Sequence, residues 1–188
     1  FEDKAATHSD VVAQVMAAGG LRKILESDPI DPAYLAAVRA ALEARFAALA
    51  PTQGLRFRSS STVEDVEGFN GAGVYESHTG VLYPDKQTTS KDKKRTIERA
   101  IAETWSSYFS FGAFEERSTA NVPHLGGHMG VLVEPRFDDA MELANAVGLY
   151  GFVREDGKTR VELRIDIQKG ALSVTMPPAG SKAVPEVD

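Results

Sequence analysis

The 188-residue chain contains no cysteine, which excludes disulfides, thiol catalysis and cysteine-bound zinc but leaves the redox compartment open. It also has few positive charges, with 21 Lys and Arg against 27 Asp and Glu and a net charge of −6. General nucleic-acid binders and membrane-surface binders need an excess of Lys and Arg. No apolar run approaches the ~20 residues that span a bilayer. We therefore expect a cytoplasmic protein with no nucleic-acid or membrane partner.

An initial methionine and a signal-peptide pattern are also missing, because the chain starts at Phe1 with a polar segment. This start indicates a piece of a longer polypeptide. The length is sufficient for one large domain or two small ones, each with a buried core.

The N-terminal region, residues 1–54, is predicted to be helical. Ser9 and the pair Gly19-Gly20 bracket a first helix, and Asp31-Pro32 is a strong start signal for a later one. The later helix carries an apolar stripe at three- and four-residue spacing, formed by Leu35, Val38, Leu42, Phe46 and Leu49. A further long helix is expected from Ile97 onward, with an apolar face formed by Ile97, Ile101, Trp105, Tyr108, Phe111 and Phe114.

Strand patterns dominate the rest of the chain. Leu55–Arg58 alternates, Met129–Val133 and Ala146–Val153 are continuous apolar runs, and Val161–Ile167 alternates as a half-buried strand does. Asp156-Gly157 is a hairpin turn signal. The sequence thus predicts an α+β fold in which N-terminal helices precede a mostly antiparallel sheet. The predicted domains are a helical region over 1–54, an α+β domain over 55–176, and a C-terminal linker over 177–188.

One polar stretch, Phe57–Ser77, raises a chemical question. It presents Arg58 at a strand end, then several hydroxyl residues, then Gly71-Ala72-Gly73. A guanidinium fork suits phosphate oxygens, and small residues let backbone N–H groups turn toward an anion. The alternative is a loop whose hydroxyls cap their own backbone. Composition leaves both interpretations open.

The stretch RSSSTVEDVEGFNGAGVYES, residues 58–77, resembles the signature of the pyruvate phosphate dikinase N-terminal domain family. This family includes phosphoenolpyruvate synthases, glucan, water dikinases and rifampin phosphotransferases, and the wording GFNGAGVYES is most similar to the glucan dikinase-like branch. Later segments are similar in the same order: AIAETWSSYFSFGAFEER (100–117), HMGVLVEPRF (128–137) and ANAVGLY (144–150). The similarity covers most of the chain from Leu55 onward.

The resemblance implies an ATP-grasp fold in which ATP, with Mg²⁺, lies between two α+β halves. It implies that Arg58 contacts the nucleotide phosphates, that Gly71, Ala72 and Gly73 form the loop covering them, and that Tyr75 lies near the loop's end. Glu134–Arg136 would be the hinge beside adenine, with Arg136 as the backbone donor because Pro135 has no N–H. The implied partners are ATP and a swivelling phosphohistidine domain of the parent protein.

Several features of active family members are missing. The chain shows neither the glycine-rich lysine stretch nor the Asp-x-Glu metal site, so its catalytic residues are unknown and no metal ligand is assigned. Gly112 and Ala146 stand where relatives have arginine and glycine. Of His8, His78, His124 and His128, none lies at ligand or triad spacing in the sequence, and surface or packing roles are expected. The main hypothesis is therefore the ATP-binding portion of a dikinase-like phosphotransferase, inactive alone; the alternative is a degenerate ATP-grasp acting as a non-catalytic binding or structural module.

Overall fold

The computed structural model describes residues 20–66, 69–70, 73–137, 142–170, 174 and 186–187. The helices are α1 Leu21–Ser27, α2 Pro32–Arg45, α3 Ser90–Lys93, α4 Ile97–Ser106 and α5 Phe111–Thr119, with 3₁₀ turns at Pro84–Lys86 and Ser107–Phe109. The strands are β1 Gly54–Ser61, β2 Asp65–Val66, β3 Phe69–Asn70, β4 His78–Val81, β5 Met129–Pro135, β6 Ala144–Glu155, β7 Lys158–Lys169 and β8 Glu186–Val187. Helices and antiparallel sheets confirm the predicted α+β class.

The chain divides into two compact units, residues 1–136 and 137–188. The division at residues 54 and 176 inferred from the sequence stays a prediction. The first predicted helix, between Ser9 and Gly19, lies outside the described residues.

Helix α2 follows its sequence signals. The Asp31 carboxylate accepts a hydrogen bond from the Tyr34 amide at 2.7 Å, and Pro32 occupies the first turn. Leu42 is buried, and the rest of the predicted stripe packs against the same core: Leu35, Val38, Phe46 and Leu49. The predicted apolar face is confirmed at Leu35, Val38 and Leu42. The helix ends at Arg45, earlier than the predicted stripe, so Phe46 and Leu49 reach the core from the turn after it.

The first unit is built on a three-stranded antiparallel sheet in the order β4-β1-β5. Leu55 and Phe57 of β1 are fully buried against α4, where Ile97 and Ile101 complete the core. Gly80 on β4 lies so close to Phe57 that an added Cβ would approach the ring to 2.7 Å. The residues of β1 that alternate with Leu55 and Phe57 point to the other face of the sheet.

The predicted long helix from Ile97 is wrong, because the structure breaks it at residues 107–110. The Ser106 and Ser107 hydroxyls donate to the carbonyls of Glu103 and Thr104, which draws the helix end into a 3₁₀ turn. Ser110 then caps α5. The break turns Phe111 and Phe114 away from the core, and they are 73% and 47% exposed.

The second unit is a long hairpin in which β6 and β7 pair over their full length. Asp156 and Gly157 form the turn with φ values of 51° and 75°, the left-handed pair of a type I′ turn. The predicted strands and turn are confirmed. Val161 and Leu163 are more than half exposed, however, so the predicted half-buried character of β7 is wrong at these positions.

The C-terminal segment also departs from the predicted linker at one point. Glu186 and Val187 form β8 and pair with Ile167 and Asp166 of β7. The other residues of 177–188 lie outside the described part of the chain.

Candidate functional site

The residue with the strongest sequence argument, Arg58, lies on the face of the sheet opposite the core. Its Nη1 is 3.1 Å from Oε1 of Glu134, and the two side chains are 58% and 35% exposed. The β1–β5 register pairs Arg58 with Leu132 and Arg56 with Glu134. Residues 76 positions apart in the chain are thus diagonal neighbours on one sheet face.

Arg56 is a second cation on this face that the sequence reasoning missed. Side chains two residues apart on a strand share a face, so the alternation of residues 55–58 already indicated it. Arg56 Nη1 lies 3.5 Å from the Thr79 hydroxyl of β4. Ser60 lies on the same face of β1, two residues beyond Arg58, and is exposed. We call Arg56, Arg58, Ser60 and Glu134 the open face.

The hydroxyls at the end of β1 bond backbone amides, and that of Ser61 does so locally, as the alternative interpretation of the loop predicts. The Ser61 hydroxyl accepts from the Val63 amide, and the Glu64 carboxylate accepts from the Ser61 amide, both at 3.3 Å. The Thr62 hydroxyl accepts from the His128 amide at 3.0 Å. These contacts fix the exit of β1 in place and assign structural roles to three polar side chains of the stretch.

Tyr75, which the resemblance places near the end of the phosphate loop, is part of the core of the first unit. Its ring is buried and stacks on Tyr108, with ring centroids 5.7 Å apart and planes at 1°. Its hydroxyl accepts a hydrogen bond from Arg117 at 3.2 Å. Buried tyrosines usually pair their hydroxyl with a partner, as Tyr75 does with Arg117. A nucleotide contact by Tyr75 stays a prediction.

Arg117 itself is 1% exposed, although its sequence context, Glu-Glu-Arg near a helix end, is typical of a solvated face. The guanidinium carbon lies 4.0 Å from the Tyr108 ring centroid, and Nη2 donates to the Tyr108 carbonyl at 2.7 Å. Cation–π contact and hydrogen bonds together offset the desolvation of this charge. Arg117 thereby anchors the end of the polar stretch to α5.

The predicted phosphate loop is described only at Gly73, whose φ of 80° is the left-handed conformation that glycine tolerates. Gly71 and Ala72 lie outside the described residues. The loop assignment of these three residues stays a prediction.

The expected hinge donor, Arg136, has backbone partners within the fold. The Arg136 amide donates to the Gly54 carbonyl at 2.8 Å, and the Arg136 carbonyl accepts from the Gln53 side-chain amide. Both backbone groups of Arg136 are therefore used inside the fold. Because backbone groups alternate sides along an antiparallel ladder, those of Val133 point to the edge of β5 away from β1. Val133 thus presents its N–H and C=O groups at this edge, and Glu134 contributes its side chain to the open face. The hinge assignment of Glu134–Arg136 stays a prediction.

A separate ionic network in the first unit was not predicted from the sequence. Both Nη atoms of Arg22 in α1 donate hydrogen bonds to the Glu76 carboxylate, at 2.5 and 2.7 Å. The Nε of Arg22 donates to the Glu26 carboxylate at 2.8 Å. His78 lies between Glu76 and Glu103, with nitrogen–oxygen distances of 3.3 and 3.0 Å. These five residues form what we call the α1 latch, and four of them are ordinary charged residues without a motif.

The electrostatics of the α1 latch follow from its partial burial. Hydrogen bonds from Arg22 hold the pKa of Glu76 below its usual range, and those from Glu76 raise the pKa of Arg22. Burial lowers the pKa of His78, against the opposing attraction of Glu103 and Glu76. His78 is accordingly a half-buried packing residue, which agrees with the role expected for it.

In the ranges that the structure describes, no group of three or more His, Asp or Glu side chains is arranged to hold a metal ion. Among the same residues, none of the helices combines the length and apolarity required to cross a bilayer.

Comparison of the chain with protein-family models finds no match, and comparison with curated proteins finds no significant match.

Proposed function

We propose that this chain is the ATP-binding portion of a dikinase-like phosphotransferase. In this proposal the nucleotide phosphates bind at the open face, the purine lies along β5, and the phosphoryl group passes to a histidine on a separate swivelling domain of the parent protein. One observation carries the proposal: the β1–β5 register places Arg58 and Glu134 side by side. The segments that the resemblance assigns to phosphate and to adenine are thus adjacent on one face.

The open face suits phosphate by its charge. Arg56 and Arg58 supply two guanidinium groups with rigid donor geometry. Ser60 adds a hydroxyl on the same face of β1. Phosphoryl transfer depends on positioning and on neutralisation of phosphate charge, which two arginines begin but do not complete. Mg²⁺ would supply further neutralisation, but the described residues do not fit a magnesium site. We therefore derive no step through the metal.

Glu134 competes with phosphate for Arg58 in the ligand-free protein. Exposed ion pairs of this kind contribute about 0–1 kcal/mol, whereas a phosphate dianion carries a larger charge than a carboxylate and accepts two parallel hydrogen bonds from one guanidinium. A phosphate dianion is therefore able to displace the Glu134 carboxylate from Arg58.

Calorimetric titration with ATP, with and without magnesium, tests the proposal. Arg58→Ala should weaken ATP binding about tenfold or more, since tenfold corresponds to about 1.4 kcal/mol. The matched control is Arg164→Ala, because Arg164 is 57% exposed and pairs with Asp166 at the same 3.1 Å on strand β7. Equal affinity of both variants and the wild type would remove Arg58 from the site.

The Glu134→Gln substitution tests the same site and is expected to change the affinity in the opposite direction. Loss of the competing carboxylate should tighten ATP and inorganic phosphate binding about two- to fivefold, the value of an exposed ion pair. Weaker phosphate binding in this variant would contradict the assigned competition, because the amide retains the size of the side chain.

A second candidate is a non-catalytic binding or structural module. It is favoured by Tyr75 and Arg136, whose expected ligand-binding groups are used inside the fold. Absence of ATP binding by the wild type at millimolar ATP would favour this candidate over the first.

A further inference from the structure

The strand β6 presents an edge that the hairpin itself leaves open. In the part of the chain that the structure describes, the sheet of the second unit has the order β6-β7-β8, so β6 lies at its margin. Its twelve residues contain neither lysine nor proline, and its only charges, Arg154 and Glu155, lie at one end. Natural edge strands usually carry such residues because unpaired backbone groups recruit another strand.

The hairpin geometry determines which backbone groups face this edge. The Leu143 carbonyl accepts from the Gly170 amide at 2.8 Å, and the two-residue turn closes on the pair Glu155 and Lys158. Odd-numbered residues of β6 therefore bond to β7, and even-numbered residues direct their N–H and C=O groups outward.

The same even-numbered residues carry an apolar face. Tyr150 and Phe152 are 66% and 70% exposed and meet edge to face with centroids 5.6 Å apart. Leu163 and Val161 lie directly across from them on β7 and are also exposed. A contiguous apolar surface of this kind marks an interaction site.

We propose that β6 pairs antiparallel with β6 of a second copy of this chain, about a two-fold axis through Gly148. In this register Tyr150 lies opposite the partner's Ala146 and Phe152 lies opposite the partner's Ala144. Large rings are thus matched with small side chains. All these pairs have even numbers, so their outward backbone groups meet as an antiparallel ladder requires.

Charge selects this register from its neighbours. Arg154 lies opposite the partner's Glu142, and the two-fold axis makes this ion pair twice. A shift of two residues along β6 would place Arg154 opposite Ala144 and remove this ion pair. Just before β6, the Glu142 carboxylate accepts a hydrogen bond from the side-chain amide of Asn145, at 3.0 Å.

The absence of cysteine allows a direct test with single introduced thiols. Gly148 and Gly151 make a matched pair, because an added Cβ would meet only Leu163 Cδ1 at 3.9 Å at Gly148 and nothing within 4 Å at Gly151. In the proposed dimer residue 148 faces itself across a hydrogen-bonded pair, about 5.5 Å between Cα atoms, which a disulfide spans. Residue 151 lies about 20 Å from its copy, six residues along the strand.

Diamide oxidation of the full chain, read on a non-reducing gel, should link Gly148→Cys into dimers and leave Gly151→Cys monomeric. Failure of Gly148→Cys to cross-link, or equal cross-linking of both variants, would overturn the proposed register.

Charge exchange gives an independent test of the same dimer by analytical ultracentrifugation. The wild type should dimerise as its concentration rises, Arg154→Glu and Glu142→Lys should each weaken dimerisation, and the double variant should restore it. Far-UV circular dichroism checks that each variant keeps its strands. A wild type that stays monomeric at all concentrations, or a double variant no better than the singles, would overturn the proposal.

Discussion

The two units use the same strand pattern with opposite results. In residues 1–136, β1 alternates polar and apolar side chains, and its apolar members Leu55 and Phe57 are fully buried. In residues 137–188, β7 alternates equally well, yet Val161 and Leu163 are more than half exposed. Alternation therefore determines which face of a strand is apolar, whereas burial of that face depends on another element of the chain. For β1 that element is α4, which is distant in sequence.

The most severe way to test this comparison is to remove one large ring from each unit. Phe57→Ala should lower the free energy of unfolding by about 3–5 kcal/mol, since it leaves a cavity beside Gly80 and Ile97. Phe152→Ala should change it by no more than about 0.5 kcal/mol, as exposed substitutions usually do.

Urea denaturation of dilute monomeric protein measures both values. A loss for Phe152→Ala as large as that for Phe57→Ala would show that the ring of Phe152 is covered in solution, and the contrast between the units would fail.

Acidification probes a second contrast, because the first unit contains the α1 latch. Burial holds the pKa of His78 below its ordinary value of about 6.5, so the unfolded state binds more protons below that pH. Stability from this group is complete above about pH 6.5 and falls as the pH drops toward the folded-state pKa. Arg22 lowers the pKa of Glu76, and its contribution is present above about pH 4.5 and lost as the pH falls through the lowered value.

Thermal unfolding as a function of pH checks both steps. His78→Asn should remove the step that begins near pH 6.5 and leave the one below pH 4.5. An unchanged profile in this variant would exclude His78 as the group responsible.

The smallest expected effect is confined to the hairpin. Gly157→Ala places a side chain at a φ of 75°, which costs roughly 1–2 kcal/mol. Gly151→Ala is the control, since an added Cβ there meets no atom within 4 Å. Amide hydrogen exchange should accelerate in β6 and β7 for Gly157→Ala alone, with no change in β1; acceleration in both units would contradict their separate description.

Sequence reasoning succeeded where a local signal sufficed. Asp31-Pro32 predicted the start of α2, and Asp156-Gly157 predicted the hairpin, because capping and left-handed turns depend on neighbouring residues alone. The helix break after Ser106 was missed because it depends on serine hydroxyls competing with the backbone inside an otherwise regular apolar stripe.

The candidate site shows the same limit. Arg58 is predicted from its position at the end of a strand. Arg56 is predictable from strand alternation, but its position opposite Glu134 depends on the pairing of β1 with β5. Tyr75 is buried where its hydroxyl accepts a hydrogen bond from Arg117. This contact joins residues 42 positions apart, and no periodicity in either segment indicates it. Sequence patterns therefore indicated the position of the open face but not which of its expected residues the fold had already used.

The chain contains a single tryptophan, Trp105, whose ring lies 5.9 Å from that of Tyr34 in the first unit. Residues 137–188 have none, so intrinsic emission excited at the indole band comes from residues 1–136. Opening of the hairpin is followed by backbone circular dichroism. The protein thus contains its own optical label for telling which of its two units unfolds first.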